Sequence, residues 1–179
     1  MKAGVELELK NIIEGIDFQI VKGSMDIDIT GIENDSRNVS KGNMFIALKG
    51  YTVDGHDFIY EAIKRGAICI VVDKDVQIEE NGITLIKVKD TNEVLSNIGS
   101  VFYKKPSKKL ELIGVTGTNG KTSITYLIKS IFEAESNKIG IIGTMGSIID
   151  GESIDLKNTT PESLTIQKLL SQMVDRHTE

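Results

Sequence analysis

Gly114-Val-Thr-Gly-Thr-Asn-Gly-Lys-Thr-Ser123 follows the apolar run Leu110–Val115 and precedes Ser123–Phe132, whose apolar positions 124, 127, 128 and 131 share one helical face. Strand, glycine loop and helix in that order are the context a phosphate-binding loop requires. Small residues let backbone N–H groups curl around phosphate oxygens, and the helix N-terminus adds positive potential. The lysine, Lys121, is placed to reach the terminal phosphates, and the Thr122 hydroxyl to ligate magnesium. The sequence therefore predicts a nucleoside-triphosphate site built from Gly117, Thr118, Asn119, Gly120, Lys121, Thr122 and Ser123. The general phosphate-loop pattern wants glycine where Val115 stands, so the loop belongs to a subclass. Neither Gly114, Gly117, Gly120 nor Gly140, Gly143, Gly146 has dinucleotide-binding spacing.

Outward from the loop, the chain reads as two α/β units meeting at the basic stretch Lys104–Lys109, which Pro106 and Ser107 interrupt as in a solvated hinge. In the first unit, a short helix is expected near Val5–Ile13 and strands at Asp26–Ile32, Met44–Leu48, Ala67–Val72 and Ile83–Val88. Helices are expected at Phe58–Arg65, stopped by Gly66, and Thr91–Tyr103. In the second unit, strands at Leu110–Val115 and Lys138–Ile142 precede a hairpin turning at Asp150-Gly151. A helix after Pro161 then carries Leu164, Leu169, Leu170 and Met173. The boundary falls at residues 1–105 and 106–179. The second unit is expected to be the start of a larger, mostly parallel phosphate-loop domain, because no acidic residue follows an apolar strand as a second magnesium partner.

The 179 residues carry a net charge of −5, which argues against a general nucleic-acid binder. No apolar stretch is long enough to span a bilayer and no signal-like N-terminus is present, so a cytoplasmic protein with no membrane partner is expected. The lone cysteine, Cys69, sits in an apolar stretch and reads as a buried, inert thiol.

The Thr116–Thr122 core resembles the ATP loop of the Mur ligases and folylpolyglutamate synthases. Further stretches are similar to the Mur ligases, and among them to the UDP-N-acetylmuramoyl-tripeptide synthetases. These are Asn34-Asp-Ser-Arg37 with Gly42–Gly50, Tyr51–Phe58, Gly143-Thr-Met-Gly146 and Asn158-Thr-Thr-Pro-Glu162. The resemblance implies an ATP- and Mg2+-dependent ligase of peptidoglycan precursor synthesis. Such an enzyme adds L-lysine or meso-diaminopimelate to UDP-N-acetylmuramoyl-L-alanyl-D-glutamate through an acyl-phosphate. It also implies a UDP-sugar-binding first unit, an ATP-binding second unit, and an amino-acid-binding C-terminal domain outside this sequence, without which the chain is not competent alone.

Substrate contacts carried over are Ser36, Arg37, Tyr51, Thr52, Val53, Asn158, Thr159 and Thr160. Several have a plainer reading: Asp35 and Ser36 cap a turn while Arg37 pairs locally, and Thr159 and Thr160 cap the helix after Pro161; the neighbouring Asp54-Gly55-His56 likewise reads as a turn and helix cap. Two other functions fit the loop: a folylpolyglutamate synthase-like ligase, disfavoured by the domain preceding the loop, and a nucleotide-binding module without catalysis.

Overall fold

A computed structural model describes residues 6–50, 52–155 and 161–178. The chain divides into two units, Met1–Phe102 and Tyr103–Glu179.

The first unit opens with β1 (Leu7–Glu8), α1 (Leu9–Ile12), β2 (Phe18–Lys22), β3 (Asp28–Ile29) and β4 (Gly31–Glu33). A 3-10 turn at Ser36–Asn38 leads to β5 (Asn43–Ile46), and another at Gly55–Phe58 leads to α2 (Ile59–Arg65). Next come β6 (Cys69–Val72), β7 (Thr84–Val88) and α3 (Thr91–Phe102). The main sheet runs β2-β7-β6-β5-β4, with β4 to β7 parallel and β2 antiparallel at one edge. Every residue of β5 and β6 is buried, which is why they read as continuous apolar runs rather than alternating ones. Phe45, Ala47, Ile70, Val72 and Leu85 pack with Ile59 and Ala62 of α2. Met44, Ile46, Cys69, Val71 and Ile86 alternate to the opposite face and are equally buried, so both faces are covered. Burial pushes the Cys69 thiol above its ordinary pKa, as an inert cysteine requires.

In the second unit, a 3-10 turn at Pro106–Lys108 packs against the last helix. There follow α4 (Lys121–Ala134), β8 (Gly140–Gly143), β9 (Gly146–Ile149), β10 (Glu152–Ile154) and α5 (Ser163–Asp175). The three strands form an antiparallel meander, β10-β9-β8. Asp150 and Gly151 both take positive φ, as a two-residue primed turn demands. Leu169, Leu170 and Met173 of α5 form the small core with Ile149.

Two expectations need correction, and one strand was not foreseen. Leu110–Val115 is not a strand: it is irregular, and Leu112 and Ile113 are 57% and 59% exposed. A parallel strand exists only through its neighbours, and among the described residues none pairs with this segment. Asp26–Ile32 is not one strand but two in different sheets, β3 with β1 and β4 with β5, broken at Thr30. The edge strand β2 was not anticipated, because its largely exposed residues carry no clean alternation.

Candidate functional site

At the glycine loop, the backbone turns into α4 through Gly120 at φ 81°, with Gly117 also left-handed at φ 150°. Ile124 N donates to Gly120 O at 2.9 Å, the first helical bond, so Lys121, Thr122 and Ser123 N–H lie in the first turn, whose N–H groups have no partner within the helix. No side chain caps this end. Gly117 to Ser123 are all exposed. Lys121 folds back over the loop, its Nζ donating to Gly117 O at 2.6 Å and, more weakly, to Thr118 O at 3.4 Å. Two neutral carbonyls thus hold an ammonium that a triphosphate, carrying full charge, would compete for effectively. The uncapped turn, the exposed donors and the retractable lysine fit a bound nucleotide phosphate, and Thr122 in the same first turn fits a magnesium ligand.

The first unit gathers its candidates at the carboxyl ends of the parallel strands, where open α/β sheets bind ligands. Ser36 and Arg37 follow β4; residues 47–58 follow β5; Asp73 and Lys74 follow β6; Thr91 lies three residues beyond β7. Ser36 is 5% exposed and its Oγ donates to Glu61 Oε2 of α2 at 3.1 Å. That partner was not foreseen, although Glu61 in the first turn of a helix beside the same strand ends was a readable signal. The Arg37 fork is engaged by Asp35: Nε reaches Oδ1 and Nη2 reaches Oδ2, each at 2.8 Å. This hydrogen-bonded pairing raises the guanidinium pKa further. Thr52 and Val53 are exposed, Val53 by 57%. Tyr51, Asn158, Thr159 and Thr160 lie outside the described residues.

Beside that exposed turn stands a polar group that pattern reading treated only as a cap. The His56 ring is buried, with Nδ1 2.6 Å from Asp54 Oδ1 and Nε2 3.3 Å from Asp73 Oδ1, the latter off hydrogen-bonding alignment. Asp54 Oδ2 accepts from Lys74 Nζ at 2.7 Å, and Asp73 Oδ2 from Thr91 Oγ1 at 2.9 Å. Lys74, then the His56 backbone N–H and ring, hold the Asp54 carboxyl well below the usual range.

Two family models match the chain in succession: Mur ligase family, catalytic domain, over residues 28–103, and Mur ligase middle domain, over residues 115–179. The chain belongs to the Mur ligase family. Among its Mur ligase relatives is the UDP-N-acetylmuramoyl-L-alanyl-D-glutamate--2,6-diaminopimelate ligase of Alkaliphilus metalliredigens, 46% identical over 169 residues. That alignment takes in 94% of this chain and 34% of the relative. The Clostridioides difficile ligase of the same name is also 46% identical, over 170 residues, with the same shares. The fold matches a solved UDP-N-acetylmuramoyl-L-alanyl-D-glutamate--2,6-diaminopimelate ligase with a TM-score of 0.73 at 23% identity, over 96% of this chain and 34% of that one. The chain therefore spans about a third of the length of these Mur ligase relatives. Among the described residues, no helix is long and apolar enough to cross a membrane.

Proposed function

We propose that this chain is the UDP-sugar- and nucleotide-binding part of an ATP-dependent peptide ligase of peptidoglycan precursor synthesis. In this reading a diamino acid, meso-diaminopimelate by the names of its relatives, is joined to UDP-N-acetylmuramoyl-L-alanyl-D-glutamate in the cytoplasm. Residues 1–105 bind the UDP-sugar peptide and residues 106–179 bind ATP with Mg2+. The observation that carries it is 46% identity across 94% of the chain to ligases of that name, with the loop residues Gly117–Ser123 inside the stretch matched by the Mur ligase middle domain.

In the reaction, a carboxylate oxygen of the substrate attacks the γ-phosphorus and ADP departs; the diamino acid's amine then attacks the acyl carbon and phosphate leaves. ATP and magnesium supply the activating phosphoryl group and offset its charge. The chain's own work is electrostatic and positional. Lys121 exchanges the Gly117 and Thr118 carbonyls for phosphate oxygens, the first-turn N–H groups of α4 and the loop Gly117–Gly120 cradle them, and Thr122 holds the metal. At the strand ends of the first unit, Ser36, Arg37, Tyr51, Thr52 and Val53 bind the UDP-sugar. Ser36 spends its only proton on Glu61, so it meets the ligand as an acceptor. Asn158, Thr159 and Thr160 contact the peptide part.

The test is a chemical-shift titration of residues 1–179. UDP-N-acetylmuramoyl-L-alanyl-D-glutamate is expected to move Ser36, Thr52 and Val53, and Mg-ATP to move Gly117 to Ser123. No change at millimolar ligand rules the assignment out.

A further inference from the structure

The connection between β5 and α2 has a fixed base and a free tip. At the base, Lys49 and Asp54 form an antiparallel bridge, Gly50 N donates to Val53 O at 3.0 Å, and Gly55 N donates to Leu48 O at 2.7 Å. A Cβ on Gly55 would stand 2.7 Å from Leu48 O and 2.8 Å from Leu48 N, so the backbone lies flush against the strand end and admits no side chain there. At the tip, Thr52 and Val53 are left to solvent. These backbone bonds shape the loop but tie it only to its own strand. Two side-chain links run from it to the connection after β6: Lys74 Nζ donates to Asp54 Oδ2 at 2.7 Å, and the buried His56 ring stands between Asp54 of this loop and Asp73, whose other oxygen holds Thr91 at the start of α3.

A buried imidazole costs free energy unless its nitrogens face partners, and an apolar side chain would fill the space more cheaply. The ring also fills the space between the Asp54 and Asp73 carboxylates, of which Asp54 is paired with Lys74. We propose that His56 is a positioning residue: it clamps the 49–54 turn onto the adjoining strand connection, so that Thr52 and Val53 are presented to the UDP-linked sugar peptide in one orientation. This rests on the substrate reading above. Ordering the turn beforehand removes part of the entropy cost of binding, so its effect falls on affinity for that ligand and not on nucleotide binding by the other unit.

Two readouts on residues 1–179 separate the two ideas. In the ligand-free chain, His56→Ala is expected to speed amide exchange at Gly50 and Gly55 at least tenfold, with β6 and β7 unchanged. It should weaken UDP-N-acetylmuramoyl-L-alanyl-D-glutamate about tenfold, roughly what losing one buried polar partner costs. His56→Asn, which keeps a donor toward Asp54, should recover part of both losses. Unchanged exchange at Gly50 and Gly55 overturns the proposal, and so does faster exchange spread across the whole first unit. If His56→Ala does not fold, Asp73→Asn decides: selective loosening of the same two amides supports the clamp, and none overturns it. Should the wild-type chain not bind the UDP-peptide, the substrate reading falls, while exchange at Gly50 and Gly55 still decides whether His56 holds the turn.

Discussion

Lys121 is the residue on which nucleotide handling turns, and its surroundings make it separable from the fold. Its contacts are the two loop carbonyls, and it is exposed. Lys121→Ala is therefore expected to leave the circular dichroism and the urea midpoint unchanged while weakening Mg-ATP; in a complete ligase kcat should fall on the order of 10²-fold or more, as for other preorganised donors to developing charge. Wild-type ATP affinity in that variant would detach the loop from triphosphate binding. Asp54 is separable by pH instead. Its folded pKa is depressed, chiefly by Lys74, so its contribution to stability is complete above the ordinary carboxylate pKa of about 3.9 and is lost as pH falls below it. Lys74→Met should lower the urea midpoint of the first unit at pH 7, and the gap from wild type should narrow below about pH 4. A gap that does not narrow at all between pH 4 and pH 2 would place the effect of Lys74 elsewhere.

At the scale of elements, the legible features are those encoded locally. Gly66 was readable as a helix stop, and it ends α2 at φ 109° in a Schellman arrangement, with Ala67 N donating to Ala62 O and Gly66 N to Ile63 O. Its second role was not readable: a Cβ there would stand 2.7 Å from Lys41 Cα, in a distant part of the sequence. Gly66→Ala should therefore cost about 3 kcal/mol, against about 1 kcal/mol at Gly82, which has φ 79° but open space around it. Equal losses in urea titrations would remove the crowding argument. The sequence of α4 likewise announced a helix with an apolar face but not what covers it. Leu127 and Ile131 are 63% and 65% exposed, while Leu169 of α5 is buried. Leu127→Glu or Ile131→Lys is expected within about 0.5 kcal/mol of wild type, and Leu169→Ala to cost about 2–4 kcal/mol. A large loss at Leu127 would show that the α4 face is covered in solution. Periodicity sets which residues face together; burial depends on partners that no local pattern names, which is also why Leu110–Val115 read as a strand.

For the molecule as a whole, the two units differ in how much core they own. The first buries both faces of a five-stranded sheet, with Met44, Phe45, Ile46, Ile70, Leu85 and Ile86 all at or below 1% exposure. The second rests on Ile149, Leu169, Leu170 and Met173 around a three-stranded meander. A unit that small rarely draws more than about 3–5 kcal/mol from one core, so it should open first. Urea unfolding is expected in two steps, with amides of β8 to β10 losing protection before those of β5 to β7. The site assignments add a direction to this: a ligand stabilises the unit that binds it, by about 2.7 kcal/mol at a hundredfold excess over Kd. Mg-ATP should therefore raise the first transition toward the second, and UDP-N-acetylmuramoyl-L-alanyl-D-glutamate should raise the second. A single coincident transition, shifted alike by either ligand, would mean that the units fold as one body and that their sites cannot be assigned independently.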